Sequence, residues 1–207
     1  MPRVDASTES RRSPKWQARR QAIIDTSARL FARQGYHATG IAELCAANDL
    51  GKGALYHYIG SKEEILAAIH DRVMDEVMAG AERVAESGGS PSAQLAKLGE
   101  ELLDVINHYP DHVWVFLHEF HALTERADQF RGRRREYERL VENILRAGVE
   151  SGEFRDIDPW LTARAWLGMH NYTYLWLQAG GRVSASDVAK PFHDIFVRGI
   201  EKPKRAR

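Results

Sequence analysis

Helix-breaking residues divide the chain after its first predicted helix into two short helices and the beginning of a long one. Gly35 is typical of the position that follows a helix C-terminus, and Asn48 and Asp49 tolerate the left-handed backbone of a tight turn. Gly60 is a further break, and residues 61–64 form a capping box, with serine at the cap and glutamate three positions later. Because these breaks lie close together, each of the two helices between them has room for only about two turns.

Apolar residues recur at helical spacing within these segments. Ile24, Ala28 and Phe31 share one face of the first helix. Leu55 and Ile59, at positions i and i+4, give the second short helix a side that faces inward.

The rest of the chain is also helical in pattern. The long helix runs to about residue 85, and the serines, glycines and proline at 87–91 indicate a turn. Further helices are predicted at 92–108, 111–123, 127–151, 159–178 and 185–200. Since neither an alternating strand pattern nor an internal repeat occurs, the sequence predicts an all-α fold of about nine helices.

Composition excludes several classes of protein. Of the 207 residues, 43% are apolar and 28% are charged, which is ordinary for a folded globular chain. No apolar run approaches the ~18 residues that a membrane span requires, and the N-terminus lacks the apolar core of a secretion signal. The single cysteine, Cys45, cannot form an intramolecular disulfide. We therefore expect a cytoplasmic protein.

The formal net charge of zero hides an asymmetry. Residues 1–62 carry ten basic and five acidic side chains, so the remainder is acidic by the same margin. A basic end on an acidic body suggests that only this end meets a polyanion. Residues 1–20 alone hold six of the basic side chains and two of the acidic ones, so most of the excess belongs to the N-terminal segment.

Two short helices joined by a tight turn and braced by a third helix are the pattern of a helix-turn-helix. Its second helix enters the DNA major groove by its N-terminal end. There, Gly51 and Gly53 allow the backbone to approach phosphate, and Lys52 supplies a positive charge. Tyr56 and His57 face away from the apolar side of the helix, where they are free to contact phosphates or base edges.

Two alternatives remain open at this point. A plain helical hairpin with surface aromatics fits the same pattern. Tyr58 suits a position facing DNA and equally a position packed on the first helix.

Lys62 begins the long helix, where a phosphate would meet both its ammonium and the helix dipole.

Residues 31–66, FARQGYHATGIAELCAANDLGKGALYHYIGSKEEIL, closely resemble the DNA-binding domain of TetR-family transcriptional repressors. The resemblance implies a homodimer of all-α subunits, each with an N-terminal three-helix DNA-binding domain and a larger C-terminal domain for ligand binding and dimerisation. The implied organisation is a disordered arm (1–14), a helix-turn-helix domain (15–62), a ligand-binding and dimerisation domain (63–201) and a basic tail (202–207).

The resemblance also implies which residues contact double-stranded DNA. They are Thr39 at the cap of the second helix, then Gly51, Lys52, Gly53, Ala54, Tyr56, His57, Tyr58 and Lys62. The chain departs from the family pattern at Asp49, where a glycine is usual, at Gly51, where a serine is usual, and at Ala42, often an arginine. We expect no DNA contact from Ala42.

In the family, the last two helices pack against their copies to form a four-helix dimer interface. Apolar or small residues recur in both of the corresponding segments here, at 160–168 and 192–200. Such stripes suit a large interface, although they would equally close the core of one subunit. A two-fold dimer would set its recognition helices about one DNA turn, ~34 Å, apart on a palindromic operator.

Two segments rich in aromatic and polar side chains, 113–121 and 166–176, are candidates for a small-molecule site. An ordinary helix core explains the same composition. The residues predicted to bind ligand are Trp114, Leu117, Phe120, His121, Trp166, His170 and Tyr174. A weaker resemblance to a TetR subgroup found around fatty-acid, acyl-CoA and steroid-side-chain catabolism implies a bulky apolar effector with an anionic or CoA-bearing end. His121, His170 or Arg164 would meet that end.

Three other interpretations are less well supported by the sequence. An enzyme using His118, Glu119 or His121 as acid or base lacks a nucleophile–base pattern and a phosphate loop. The same histidines do not have the spacing of a metal site, and we predict neither a metal nor a cofactor. The charged run at 126–139 is expected to be a solvated helix face, with a second DNA contact or a CoA phosphate cradle as the alternatives. A constitutive DNA-binding protein without an effector also remains open.

Overall fold

The computed structural model describes residues 13–123 and 126–202. Within these ranges it contains nine α-helices: α1 Pro14–Gln34, α2 Ile41–Asn48, α3 Lys52–Ile59, α4 Lys62–Ser87, α5 Pro91–His108, α6 Pro110–His118, α7 Ala127–Glu150, α8 Pro159–Asn171 and α9 Ala185–Ile200. Short 3-10 helices, Phe120–Ala122 and Tyr172–Leu175, follow α6 and α8. The described residues form no strand beyond an isolated bridge between Phe154 and Glu201. The prediction of an all-α fold of about nine helices is confirmed.

The predicted breaks lie where the backbone reverses. Gly35 has a φ of 86°, Asp49 one of 52° and Gly60 one of 69°. Gly35 and Gly60 follow α1 and α3, and Asp49 follows α2. These positive φ values are the conformations that glycine adopts freely and that aspartate tolerates better than most residues.

The capping box predicted at residues 61–64 is only half formed. Ser61 Oγ accepts a hydrogen bond from Glu64 N at 3.1 Å, which caps α4. The reciprocal bond is replaced, because Ser61 N donates to Ile59 O at 2.8 Å as the chain reverses at Gly60. The geometry of the preceding turn therefore overrides the pattern.

Two predicted helices are shorter in the structure. The helix expected at 111–123 ends at His118, where the chain tightens to a 3-10 turn. The helix expected at 159–178 ends at Asn171, and the buried Thr173 donates its hydroxyl to His170 O at 2.7 Å. A hydroxyl that occupies a helix carbonyl competes with the backbone ladder, which explains the early end of α8.

The buried side chains form two cores that share α4. Ile65, Leu66 and Ile69 of α4 pack with α1–α3, with α6 and with the start of α7. Val73 and Met74 pack with α5 and the remaining helices of the body. The N-terminal core thus extends two turns past the boundary predicted after residue 62. Since one continuous helix belongs to both cores, α4 physically joins them.

His70 lies where the two cores meet, and it is 0% exposed. The ring centroids of Phe116 and Phe130 lie 5.1 and 5.4 Å from its own. Neither ring nitrogen has a hydrogen-bond partner in the described part of the chain. Burial, together with the positive charge of Arg134, lowers the pKa of His70 to about 3. His70 is therefore neutral near pH 7.

Parts of the predicted N-terminal arm and C-terminal tail, residues 1–12 and 203–207, lie outside the described residues. Ser13 and Pro14 had been assigned to the arm, yet Ser13 caps α1 by accepting from Trp16 N, and Pro14 is the first residue of that helix. None of the described helices is both long enough and apolar enough to span a membrane.

Two glycines of α7 provide a matched test of packing. A Cβ at Gly148 would overlap the ring of the buried Phe154, whereas a Cβ at Gly132 would meet no described atom within 4 Å. We expect Gly148→Ala to lower the free energy of unfolding by about 1–3 kcal/mol through overpacking. Gly132→Ala should raise it by up to about 1 kcal/mol through helix propensity. Urea denaturation of both variants measures the difference, and equal effects would contradict this packing.

Candidate functional site

The helix-turn-helix formed by α2 and α3 is fixed from inside. Leu44, Leu55 and Ile59 are buried against α1. The turn is closed by the backbone bond from Leu50 N to Cys45 O at 3.0 Å. Arg19 of α1 donates to Asn48 O at 2.7 Å, which ties the end of α2 to the first helix. The position of α3 is thus set by packing and by a charged hydrogen bond.

The other side of α3 is open. Gly51 caps the helix without a side-chain hydrogen bond from the described residues, so the first N–H groups remain available. A Cβ at Gly51 or Gly53 would meet no described atom within 4 Å, so packing within the chain gives no reason for these glycines. Six of the nine residues predicted to contact DNA are exposed on this face: Gly51, Lys52, Gly53, Ala54, Tyr56 and His57.

The remaining three predicted DNA contacts also have contacts within the chain. Thr39 is 1% exposed, and its hydroxyl donates to Gly35 O at 2.8 Å. The N-cap of α2 is Gly40, whereas the resemblance had implied Thr39. The ring centroid of Tyr58 lies 5.6 Å from that of Trp16, so Tyr58 packs on the first helix. Lys62 is half-buried at the first position of α4.

A buried carboxylate joins the body to the loop that precedes α2. Glu119, at the C-terminal end of α6, is 8% exposed, and its Oε1 accepts from Tyr36 N at 3.0 Å. The Lys62 ammonium lies 4.2 Å from the centroid of the Tyr36 ring. Burial lowers the pKa of Lys62, and the negative charges of Glu119 and Glu43 oppose that shift. Lys62 therefore lies at the contact between the N-terminal core and the body.

A second contact links α6 to α1. His112 is buried, and its Nε2 lies 3.2 Å from Asp25 Oδ1, although the two are not aligned as a hydrogen bond. Burial lowers the pKa of His112, and Asp25 opposes this shift. The start and the end of α6 therefore both touch the N-terminal core.

A cavity of about 340 Å³ lies in the body between α4, α5, α6, α7 and α8. Its walls are mostly aliphatic, and Phe116 and Leu117 of α6 contribute to them. Its polar side chains are on α7 and α8: Arg134, Tyr137, Glu138 and Asn171. An apolar cavity with a few convergent polar groups is what a small-molecule site requires.

Of the seven residues predicted to bind ligand, Leu117 is the one that the structure places on this cavity among the described residues. Trp166 and His170 are each 1% exposed and belong to the body core, where His170 packs against Phe192 of α9 at a ring distance of 5.7 Å. Burial lowers the pKa of His170 to about 4.

The other four predicted ligand residues lie around the end of α6. The Trp114 ring stacks on His118 at 4.5 Å, and the Tyr174 hydroxyl lies 3.1 Å from His118 Nε2. The ring of Phe120 lies 5.0 Å from the guanidinium of Arg134 and is not part of the cavity lining. His121 is exposed, 4.0 Å from Glu119.

Arg134 was missed as a cavity residue because the run at 126–139 was expected to be a solvated face. Its neighbours fit that expectation in part, since Arg131 pairs with Asp128 at an exposed position. Arg134 turns inward instead, and nothing in the sequence distinguishes it from the other arginines of the run. The described residues contain no group of three or more possible metal ligands.

Comparison with known proteins follows the same division of the chain. Residues 23–69 match the family model of bacterial regulatory proteins of the tetR family, and residues 88–200 match the tetracyclin repressor-like C-terminal domain. The HTH-type transcriptional repressor KstR2 of Rhodococcus jostii is 30% identical over 193 residues, which cover 89% of this chain and 92% of that protein.

Solved structures of similar proteins support the same family. The ketosteroid transcriptional regulator KstR2 of Mycobacterium tuberculosis has a TM-score of 0.84 at 26% identity, covering 89% of this chain and 96% of that one. AibR in complex with isovaleryl coenzyme A and operator DNA has a TM-score of 0.76 at 28% identity, covering 90% and 100%. These relatives are transcriptional regulators and not enzymes, as the sequence predicted. The chain therefore belongs to the TetR family of bacterial regulatory proteins.

Proposed function

We propose that this protein is a ligand-responsive repressor that binds a palindromic operator as a homodimer and releases it when an effector occupies the body. The observation that carries the proposal is the open N-terminal face of α3 on a helix-turn-helix that is otherwise fixed by packing. The similar protein AibR was solved with operator DNA and an acyl-CoA together, which supports both halves of the proposal.

On this proposal, the exposed residues of α3 meet the major groove. Lys52 and the free N–H groups at the start of α3 bind phosphate, while Tyr56 and His57 reach phosphates or base edges. Tyr58 and Lys62 are half-buried at the margin of this face, where they fit backbone contacts. For Thr39, the buried hydroxyl favours a role in holding the loop before α2.

The dimer interface is proposed on α8, the 3-10 helix after it and α9. Large apolar side chains are exposed on this side: Leu161 at 59%, Tyr172 at 64% and Ile195 at 68%. Gly168, between Leu161 and Tyr172 on the same face, would allow close approach, since a Cβ there meets no described atom within 4 Å. Exposed apolar patches of this kind are typical of surfaces covered by a partner.

Effector release is proposed to act through α6. Phe116 and Leu117 line the cavity. Glu119, two residues after Leu117, accepts the hydrogen bond that holds the loop before α2. An effector that shifts α6 would therefore move the N-terminal core. A coupling of about 1–3 kcal/mol is typical of such linked sites.

The effector is proposed to be apolar or acyl-CoA-like. A cavity of about 340 Å³ is at the small end of the range for ligand sites, so the apolar part would enter it and a larger polar extension would stay outside. The presence of this cavity favours an effector over the alternative of a constitutive DNA-binding protein.

The DNA-binding face is tested by Lys52→Ala against Lys97→Ala, an exposed lysine of the body. Lys52→Ala removes a proposed phosphate contact, so operator affinity should fall and the slope of log affinity against log salt should decrease by about one for each subunit. Fluorescence anisotropy across a salt series measures both. An unchanged slope for Lys52→Ala would contradict the proposed face, and Lys97→Ala should behave as wild type.

The interface is tested by Ile195→Asp, which puts a charge into the proposed contact of two copies. We expect the variant to sediment as a monomer, because an unpaired charge is costly to bury. Operator affinity should fall with it, since one half-site gives fewer contacts. Ala147→Asp, at an exposed position of α7, is the control and should leave the sedimentation coefficient unchanged. A dimeric Ile195→Asp would place the interface elsewhere.

The contact between Glu119 and Tyr36 is tested by Glu119→Ala and Glu119→Gln. The alanine variant leaves the Tyr36 N–H without its acceptor, so hydrogen exchange at that amide should accelerate by about 10- to 100-fold. Operator affinity should fall as the loop before α2 loosens. Glu119→Gln keeps an acceptor oxygen and should lie near wild type. Equal exchange in all three proteins would show that Glu119 does not hold this loop.

A further inference from the structure

Arg134 differs from Arg126, Arg131 and Arg133 at the start of α7, each of which pairs with a carboxylate. Arg126 pairs with Asp71 at 3.1 Å, and Arg133 bridges Asp71 and Asp75. Arg134 has no carboxylate within ion-pair distance among the described residues, and its one hydrogen bond to them goes from Nη2 to Phe116 O at 3.3 Å. Burial lowers its pKa. The cavity thus contains a guanidinium with most of its donors uncommitted.

The carboxylate that α7 contributes to the cavity already has an ion-pair partner. Glu138 lines the same cavity, but its Oε2 lies 3.1 Å from Arg164 of α8. Arg164 also pairs with Glu142 at 3.2 Å and stacks on the Trp160 ring at 3.8 Å. Glu138 is therefore held by an ion-pair cluster on the α8 side. Its charge raises the pKa of Arg134 against the effect of burial, but the guanidinium itself packs on the rings of Phe116 and Phe120.

A second polar group without a partner lies beside Arg134. His70, with both ring nitrogens unpaired in the described part of the chain, packs against Phe116. It precedes the cavity residues Val73 and Met74 by three and four positions, so it shares their face of α4. Phe116, which lines the cavity, therefore contacts both the guanidinium of Arg134 and the unpaired ring of His70.

We infer that Arg134 is the specificity-determining residue of the cavity and that it selects acyl compounds. The hydrocarbon chain lies along the aliphatic walls, and the acyl oxygen, whether of a carboxylate or of a thioester, accepts hydrogen bonds from the guanidinium. This inference rests on the proposed function and deepens it, since it names the group by which the effector is recognised.

The balance of charge favours an acyl oxygen over a phosphate. A guanidinium binds a carboxylate through two parallel hydrogen bonds and binds a neutral carbonyl through one. The described lining holds one cation, Arg134, together with the carboxylate of Glu138. Because these two charges offset each other, a neutral carbonyl adds no net charge to the site, a carboxylate adds one negative charge and a phosphate dianion adds two, so the cost of burial rises in that order.

The test uses octanoate, octanoyl-CoA and 1-octanol as probes of one chain length, with calorimetric titration of the full-length protein. We expect wild type to bind at least one acyl probe about 10-fold or more tightly than the alcohol. Arg134→Gln should lose about 10- to 100-fold of the affinity for that acyl probe, with little change for 1-octanol. The affinity of Arg134→Lys for that acyl probe should be intermediate, because lysine keeps the positive charge but cannot form two parallel hydrogen bonds to one group. Arg139→Gln, on the exposed face of α7, is the matched control.

Binding of octanoate identifies a free acid as the source of the acyl group, and binding of octanoyl-CoA alone identifies a thioester; either supports the inference. A wild type that prefers the alcohol, binds none of the probes, or keeps its acyl preference in Arg134→Gln overturns it. The melting temperature of Arg134→Gln separates recognition from folding, because removing an unpaired, half-buried charge should not lower it. Operator affinity measured without probes reports on the proposed function separately, so that function can survive failure of this inference.

Discussion

The bond from the Tyr36 N–H to the buried Glu119 carboxylate is the contact on which the arrangement of the two parts depends. A carboxylate in an apolar contact is stable only when it is well paired. Glu119 meets this condition by fixing the loop that leads into α2, close to the Lys62 ammonium. The loop that leads into the helix-turn-helix is therefore held by a residue of the body, through a charged hydrogen bond.

The helix breaks could be predicted from the sequence because they are properties of single residues. Gly35, Asp49 and Gly60 adopt positive φ for local reasons, and neighbouring helices did not alter them. The ends of α6 and α8 could not be predicted in this way. Each is set by a side chain that bonds outside the regular ladder, Glu119 to a distant amide and Thr173 to a helix carbonyl. Sequence periodicity contains no information about such bonds.

The same distinction separates the two candidate sites. The exposed face of α3 follows from the spacing of Leu55 and Ile59, which fixes the side on which Tyr56 and His57 lie. The cavity is a volume that no side chain occupies. A high number of aromatic residues in a segment of sequence does not predict where such a volume lies. Trp166 fills its own space completely, whereas the lining is mostly aliphatic. Arg134 had no local signal, because in the sequence it is one of several arginines on the same helix.

Polar groups without a protein partner are rare in folded proteins, and one of them, the buried His70, lies at the junction of the two cores, close to the cavity residue Phe116. An uncommitted guanidinium and a neutral histidine both lie against Phe116 of α6. A ligand oxygen that accepts hydrogen bonds from Arg134 would lower the free energy of the conformation that binds the ligand. It would not lower the free energy of a conformation that excludes the ligand. Differential stabilisation of this kind is what a ligand needs in order to shift an equilibrium. Because Phe116 and Glu119 are three residues apart at the C-terminal end of α6, the proposed effector response would couple ligand binding at Arg134 to the contact between Glu119 and Tyr36.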